Sequence, residues 1–387
     1  MAKRTGGFIG QDGINAPDQA TGVSASGGNT QATVSFTAPS NVGGAAVTSY
    51  RVTDTTGAFG ASGSTSPVNV TGLTNGTSYT FNVWAINPFG WSSPSDASGS
   101  VSPAAPNALF FGATGDPANV IEYIVIETTG NSADFGDLIA VVSNNCGLGS
   151  STRGISAGGF NASFTQQNRI EYMTIASAGN ATDFGDLLSS KSSVAGLSNA
   201  TRGIISNGEP STNEIDYITI ASAGNATDFG NSTLSQHSRV GTASTTRGVV
   251  AGAGNYSNVI DYITIGSTGN ALDFGDLDAA LSMMGACASS TRGVFAGGND
   301  NQGDPGNIQY ITIASTGNTT DFGDMGRPMS SGAATSNKLR GVFGGGSGRN
   351  DINYITIATT GNFSDFGDFG SARTGFGATS AAHGGIA

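Results

Sequence analysis

Acidic and aromatic residues recur together in this chain as six copies of the triplet Asp-Phe-Gly. The aspartates are Asp134, Asp183, Asp228, Asp273, Asp321 and Asp365. Such an aspartate can hold Mg²⁺ in phosphoryl-transfer enzymes, but the glycine-rich loop, strand lysine and catalytic-loop motif of that chemistry are missing. At most two carboxylates flank each Phe-Gly, fewer than a calcium loop needs. The triplets are therefore predicted to be turns, in which Asp caps backbone amides, Phe packs between units and Gly permits the bend.

Five arginines recur in step with these acids. They are Arg153, Arg202, Arg247, Arg292 and Arg340. Because a planar guanidinium binds a carboxylate through two parallel hydrogen bonds, pairing of each arginine with a triplet aspartate is the simplest role. A ring of arginines that binds polyanions is the alternative.

Histidine and cysteine add little further chemistry. His383 is placed in the remnant of a second strand, far from His237, so neither a copper site nor a catalytic triad is expected. Cys146 and Cys287 fall in first strands three units apart, beyond the roughly 7 Å that a disulfide tolerates between Cα atoms. Two free, partly buried thiols are predicted. No catalytic residue, metal site or cofactor is predicted, and the protein is expected not to be an enzyme.

A repeat positions these residues. A tyrosine recurs at Tyr123, Tyr172, Tyr217, Tyr262, Tyr310 and Tyr354, and the triplet Phe follows each by 12 residues. The next Arg follows each of the first five Phe residues by 18, whereas the step from Arg to Tyr varies from 14 to 19. Short β-branched runs bounded by Gly, Asn, Asp and Ser predict four strands in each unit, and a period of this size indicates units that stack on their neighbours.

The fourth repeat carries a resemblance to a known family. Its predicted strands are Met284 to Ser289, Gly293 to Gly297, Ile308 to Ile313 and a run that ends at Phe322. The unit resembles the Kelch-type β-propeller, in which two glycines end the second strand and an aromatic residue marks the third. It lacks the Trp of the fourth strand and has the triplet Phe in that neighbourhood. The likeness covers Ala108 to Ala387 and implies six blades.

The ends of the repeat region predict how the ring closes. Phe110 and Phe111 align with a second strand of the first blade, and the last residues supply one further first strand, about Phe376 to Ala382. The first blade is therefore expected to join this C-terminal strand to three N-terminal strands, which leaves no exposed sheet edge.

A different pattern precedes the repeats. Short alternating strands run from Ala16 to Pro103, and the segment from Val70 to Asn87 resembles the corresponding part of a fibronectin type III domain, with Leu73 and Tyr79 as its tyrosine corner and Phe36 in place of the usual core Trp. The predicted fold is all-β: an N-terminal arm (1–15), a fibronectin type III-like β-sandwich (16–103), a linker (104–107) and a six-bladed Kelch-like β-propeller (108–387).

Composition excludes several partners. The net charge is −12 and the 15 basic residues are scattered, so no nucleic-acid partner is expected. No run approaches 18 apolar residues and the start has no apolar signal region, which predicts neither membrane insertion nor classical export.

The variable step from Arg to Tyr is the predicted loop between strands two and three, and such loops emerge on one face of a propeller. Aromatic faces, amides and acids in these loops suit carbohydrate; drift of unconstrained surface loops is the alternative. The candidate binding residues are Phe160, Phe164, Gln166, Gln167, Glu209, Asn213, Tyr256, Asp300, Asn301, Gln302, Asp304 and Arg349.

The order of a Gly-Gly-Phe-Ile-Gly arm, a fibronectin-like module and these repeats is similar to structural proteins of marine tailed bacteriophages, particularly cyanophages. The resemblance implies a non-enzymatic virion protein of the tail, tail fibre or capsid surface, made in the host cytoplasm and exposed on the particle within a symmetric assembly. The arm and the fibronectin-like domain would bind other virion proteins, and the propeller would face a host-surface glycan or protein. The second hypothesis is a cellular adhesive or scaffold protein that binds a protein partner. A glycan-degrading enzyme ranks last, because no clustered carboxylate pair is visible.

Overall fold

The structure is a computed structural model that describes residues 14–28, 30–75, 77–103, 108–114, 119–303 and 305–386. Most of the predicted arm and the predicted linker lie outside these residues. The chain divides into two compact units between Ala105 and Pro106. All elements assigned in the described segments are β-strands. None of these segments forms a helix with the length and apolarity of a membrane span.

The first unit has one three-stranded and one four-stranded antiparallel sheet, of order β1-β2-β5 and β4-β3-β6-β7. The strands are β1 (Thr21–Gly28), β2 (Gln31–Thr37), β3 (Ser49–Asp54), β4 (Gly60–Gly63), β5 (Val68–Thr71), β6 (Phe81–Asn87) and β7 (Gly90–Trp91). Alternate residues of β6, namely Phe81, Val83 and Ala85, are fully buried, as expected for a strand with one face on a core.

Two predicted features of this unit are present. The backbone N–H of Thr74 donates to the Tyr79 hydroxyl oxygen at 3.1 Å, which forms the tyrosine corner. Leu73 and Phe36 are buried, and the Phe36 ring lies 4.6 Å from the Tyr50 ring between centroids. Phe36 therefore lies in the core as predicted, where it packs against the Tyr50 ring.

The second unit consists of short strands in six antiparallel sheets of four. They are β8 (Ala108–Phe111), β9 (Val120–Ile124), β10 (Ala133–Asp137), β11 (Cys146–Gly149), β12 (Arg153–Ala157), β13 (Arg169–Thr174), β14 (Thr182–Asp186), β15 (Ala195–Ser198), β16 (Arg202–Ser206), β17 (Glu214–Thr219), β18 (Thr227–Asn231), β19 (Val240–Ala243), β20 (Arg247–Ala251), β21 (Ser257–Thr264), β22 (Leu272–Leu281), β23 (Gly285–Ala288), β24 (Arg292–Ala296), β25 (Asn307–Thr312), β26 (Thr320–Asp324), β27 (Ala333–Ser336), β28 (Arg340–Gly344), β29 (Arg349–Thr356), β30 (Ser364–Arg373) and β31 (Gly377–Ser380).

Five sheets use consecutive strands, and the first sheet does not. The second to sixth sheets are β11 to β14, β15 to β18, β19 to β22, β23 to β26 and β27 to β30, whereas the first has the order β10-β9-β8-β31. Here Ser380 pairs with Ala108 and Gly377 with Phe111. The last strand of the chain thus completes the first sheet of the unit, the arrangement that the repeat spacing predicts.

The first strands of the six sheets follow one another in a cycle. Each of β31, β11, β15, β19, β23 and β27 contacts the next, and β27 contacts β31. Just before these strands, six backbone N–H groups donate to the carbonyl oxygen of the equivalent residue one sheet away, in the order Asn144 to Gly375, Gly375 to Ser331, Ser331 to Met283, Met283 to Ser238, Ser238 to Ser193 and Ser193 to Asn144. This chain of hydrogen bonds returns to its starting residue. We call the space between the six first strands the central channel.

Candidate functional site

The loops between second and third strands lie beside the segments that enter the first strands. Backbone N–H groups of Phe160, Glu209 and Asn299 donate to the carbonyls of Ser143, Ser192 and Ser282 at 2.7, 2.8 and 2.8 Å, and each pair also exchanges the reverse bond. In these three sheets the variable loop and the entry to the first strand therefore share one edge. We call the surface formed by these loops and entry segments the loop face.

A cavity of about 160 Å³ opens at the entry segments. Its rim carries Asn144, Ser193, Ser238, Met283 and Ser331, all with φ between +52° and +58°, a conformation that non-glycine residues rarely adopt. Below the rim the cavity wall consists mainly of Gly and Ala residues, together with Asn145, Cys146, Val194, Val240, Met284 and Phe376. The guanidinium of Arg239, also in the lining, is turned into an ion pair with Asp261. The cavity therefore offers amide, hydroxyl and thioether groups rather than free charge.

The predicted loop residues lie on the loop face but do not line this cavity. The cavity wall contains none of them. Phe164 is 75% exposed, and Tyr256, Asn213, Asn301, Gln302 and Arg349 are exposed as well. Phe160, Gln166, Gln167, Glu209 and Asp300 are half-buried, and Asp304 lies outside the described residues. The structure thus brings together two zones, a polar cavity and a set of exposed aromatic and polar loop side chains.

Two of these predicted side chains make hydrogen bonds to the backbone of their own loops. The Asp300 carboxylate accepts the backbone N–H groups of Gln302 and Gly303 at 2.9 and 3.0 Å. The Gln167 amide donates to the carbonyls of Thr165 and Gln166, both at 3.0 Å. Their polar groups shape the loops, and Phe164 and Tyr256 remain the exposed aromatic surfaces.

The repeated arginines do not pair with the triplet aspartates, contrary to the sequence-based prediction. Each guanidinium carbon lies over the ring of the repeat Tyr, 4.2 to 4.6 Å from its centroid. Each Nη1 also donates to an isoleucine carbonyl of the following sheet, as Arg202 does to Ile265 at 2.9 Å. Arg340 donates to Ile126 of the first sheet and so continues the pattern across the seam. The Tyr face and the carbonyl oxygen therefore provide the partners of the guanidinium.

Arg202→Gln is expected to lower the free energy of unfolding by about 1–2 kcal/mol, because the variant loses both the cation–π contact and a charge-assisted hydrogen bond. Asp183→Asn is the matched control and should stay within about 0.5 kcal/mol, since Asp183 is exposed. Urea unfolding of both variants measures the difference. If the two changes destabilise the protein equally, the result would instead support pairing of Arg202 with Asp183.

The triplet aspartates were also predicted to cap backbone amides, and this is wrong. Asp134, Asp183, Asp228, Asp273, Asp321 and Asp365 are exposed. The amide two residues after each triplet Phe is capped instead by an Asn of the next repeat, as when Asp186 N–H donates to the Asn225 side-chain oxygen at 3.1 Å. The Phe does pack between sheets: Phe135 lies in one buried cluster with Met173 and Ile175 of the second sheet.

The charged groups that the sequence reasoning missed are buried acids directly before the repeat Tyr. Glu122, Asp216 and Asp261 form ion pairs with Arg373, Lys191 and Arg239 at 2.7, 3.0 and 2.6 Å. The cations come from the segments that enter the first strands. A carboxylate in the middle of an otherwise apolar strand, as in Ile-Asp-Tyr, was the available signal.

These acids also join neighbouring sheets. Backbone N–H groups of Ile139, Leu188 and Gly370 donate to Glu171, Asp216 and Glu122 at 2.9, 3.3 and 3.0 Å. Each donor lies four residues after the triplet Phe of the preceding sheet. Burial raises the pKa of Asp216 to about 7 and lowers the pKa of Arg239. The perturbed groups therefore belong to the supports between sheets, beneath the loop face.

The thiols offer no reactive group. Cys146 and Cys287 are free, as predicted, and more deeply buried than expected. Burial raises the pKa of Cys146 to about 12, so its thiol stays protonated at neutral pH and is a poor nucleophile. Within the described part of the chain, no group of three His, Cys, Asp or Glu side chains could hold a metal ion.

Comparison with known proteins assigns one of the two units. Residues 16–100 match the Fibronectin type III domain family, in agreement with the tyrosine corner and the two sheets of the first unit. These residues form a fibronectin type III domain. A search of curated proteins gives no match to the chain.

Proposed function

We propose that the chain is a non-enzymatic structural protein of a bacteriophage particle, in its tail, tail fibre or capsid surface. In this proposal its six sheets form a closed six-bladed Kelch-like β-propeller whose loop face attaches to a host-surface glycan or protein. The observation that carries the attachment role is the coincidence of the variable loops with the mouth of the polar cavity on one face. A fixed scaffold with variation confined to one face is typical of binding surfaces.

The ring of backbone hydrogen bonds supports the propeller fold. A chain of hydrogen bonds that returns to its first residue, with contacts between all successive first strands, fits a closed ring better than an open array. The pairing of β31 with β8 supports closure by joining the two ends of the repeat region. The period and the glycine pair after the second strand are similar to Kelch repeats, and the Arg–Tyr contact replaces the missing Trp as the repeated aromatic element.

The fibronectin type III domain has surface features suited to attachment within a particle. Ile14, Phe89 and Trp91 are 77%, 47% and 58% exposed. The Ala16 side chain lies against Gly90: a Cβ added to Gly90 would be 3.5 Å from the Cβ of Ala16. The segment that starts at Ile14 therefore runs beside the β6–β7 hairpin and adds to its apolar surface. Exposed aromatic residues in a small domain favour contact with another protein.

The attachment role predicts that loop aromatic residues are needed for cell binding. In adsorption assays, an excess of the purified chain should block attachment of the intact particle to host cells. Phe164→Ser combined with Tyr256→Ser should raise the concentration of chain needed for this competition about tenfold, because aromatic anchors carry much of the energy of small binding surfaces. The matched control is Leu272→Ser, which changes an exposed residue of β22. Competition that is unchanged by the loop double variant would leave a purely architectural role.

A cellular adhesive or scaffold protein is the second candidate, and the fibronectin type III domain is the observation that favours it, because this domain is common in adhesive proteins. Genes for capsid and tail proteins next to the gene for this chain would favour the particle. Their absence, together with recovery of the chain in a complex with a cellular protein, would favour the adhesive role.

A further inference from the structure

The residues after β31 turn into the central channel at the end away from the cavity mouth. The first strands run from the rim towards Gly149, Ser198, Ala288 and Ser336, and this inner part of the channel has a volume of only about 50 Å³. His383 and Gly384 form part of its wall. We call residues 381–386 the terminal segment.

The terminal segment fits the channel closely. A Cβ on Gly385 would overlap the carbonyl oxygen of Ser198, and one on Gly384 would overlap the carbonyl of Ser289 and lie 2.6 Å from that of Ala243. These carbonyls belong to three different sheets. The backbone of the segment therefore touches three consecutive sheets around the channel, and a side chain at either glycine would clash with their carbonyl groups.

His383 fixes the segment through both ring nitrogens. Nε2 lies 3.1 Å from the carbonyl oxygen of Gly149 and 3.2 Å from the Ser198 hydroxyl. The N–H of Gly385 points at Nδ1 at 3.2 Å, so Nδ1 has to accept and the proton belongs on Nε2. The neutral ring satisfies both sides. In a protonated ring Nδ1 also carries a proton, so it could not accept the N–H of Gly385 and the two N–H groups would repel each other.

Beyond the Gly149 carbonyl, which favours the charged ring, the surroundings offer little to stabilise a cation. The side chains that line this part of the channel are alkyl groups, the hydroxyls of Ser198, Ser336, Thr242, Thr335 and Thr379, and one thiol, Cys287. Burial raises the pKa of Cys287, so this thiol is neutral. No carboxylate lies in the described lining. Burial accordingly lowers the pKa of His383 to about 4.

We propose that the terminal segment is a channel plug that neutral His383 holds in place and that proton uptake by His383 releases. The plug separates the inner channel from the surface opposite the loop face. Release would open that end and free residues 381–386 from the channel at acidic pH. This inference does not depend on host attachment, because it concerns the channel of the second unit alone.

Proton linkage gives the direction and the size of the pH effect on release of the plug. Once released, the imidazole regains its ordinary pKa of about 6.5, whereas the plugged imidazole keeps a pKa of about 4. The plug is therefore fully favoured above pH 6.5 and loses stability as the pH falls towards 4. At pH 5 the equilibrium constant for release should be about 30-fold larger than at pH 7.5.

Hydrogen exchange read by mass spectrometry tests this in the intact chain. The protection factor of the C-terminal peptide, corrected for the intrinsic pH dependence of exchange, should fall about 30-fold from pH 7.5 to pH 5. Peptides from β16 and β24 should keep their protection. A C-terminal protection factor equal at the two pH values in the wild-type chain overturns the proposal.

Two variants identify the titrating group. His383→Gln retains a side-chain N–H donor and does not titrate, so its C-terminal protection should be the same at both pH values. His237→Gln is the matched control: His237 is partly buried with Nδ1 2.9 Å from the Ser238 hydroxyl at the rim, and this variant should keep the full pH dependence. A pH-dependent loss that persists in His383→Gln, or disappears in His237→Gln, assigns the switch elsewhere and contradicts the proposal.

Discussion

Arg239→Met should lower the free energy of unfolding of the second unit by about 3–5 kcal/mol. Arg239 is buried and its Nη1 lies 2.6 Å from the equally buried Asp261 carboxylate. Its other guanidinium nitrogens donate to the carbonyls of Gly252, Val250 and Val259. Methionine fills most of the volume but leaves the buried Asp261 carboxyl group without its cation in a medium of low polarity. Thermal or urea unfolding measures the loss.

A double variant separates the unpaired charge from the lost packing. Arg239→Met with Asp261→Leu should recover a large part of the stability, because no charge is then left buried alone. Arg349→Met is the control for loss of an arginine, since Arg349 is exposed, and it should change stability by less than about 0.5 kcal/mol. If the double variant is no more stable than Arg239→Met, hydrogen bonds to the three carbonyls and not the ion pair hold this part of the sheet.

Gly185→Ala should destabilise the second unit by about 3–5 kcal/mol, the sum of backbone strain and a clash. Gly185 follows the triplet Phe of β14 at a bulge opposite Ile170 and has φ of +147°. A Cβ there would lie 2.5 Å from the carbonyl oxygen of Gly224 in the next repeat. The neighbouring backbone would have to move, and with it the contact between two sheets. Urea unfolding compared with wild type gives the value.

The chain supplies its own control for this glycine. Gly266 occupies a position where other repeats have Ala176 and Ala221, and a Cβ there meets nothing within 4 Å. Gly266→Ala should therefore be neutral or stabilising by up to about 1 kcal/mol, because the unfolded chain loses freedom. Comparable destabilisation by Gly266→Ala and Gly185→Ala would show that the repeat tolerates no Cβ at either site for reasons other than the approach of Gly224.

The spacing of the repeat predicted much of the sheet framework, because strand length and turn chemistry are local. The predicted strand from Gly293 to Gly297 corresponds to β24 (Arg292–Ala296), and the C-terminal strand, predicted from Phe376 to Ala382, is β31 (Gly377–Ser380). The turns were predictable because Gly and Asn favour the backbone conformations that turns require. The fibronectin type III domain was equally readable, since Leu73, Tyr79 and the alternation along β6 form one local pattern.

The contacts between sheets were less accessible to sequence reasoning. The arginine was assigned to an aspartate because opposite charges attract, but its position over Tyr217 and beside the Ile265 carbonyl depends on how adjacent sheets meet. The buried cations Lys191 and Arg239 stand at different points of their entry segments, so periodicity did not reveal them. The rim conformation is shared by Asn, Ser and Met residues, and no residue type marks it in the sequence.

The seam between β31 and β8 has a mechanical consequence. Ser380 and Ala108 are partners at one end of this antiparallel pair, so a force that separates them loads the hydrogen bonds one after another rather than together. Such a pair opens like a zipper and resists little force. Tension applied between Ala108 and Ser380 would therefore separate β31 from β8 at low force. The other five sheets, each built from consecutive strands, would stay intact.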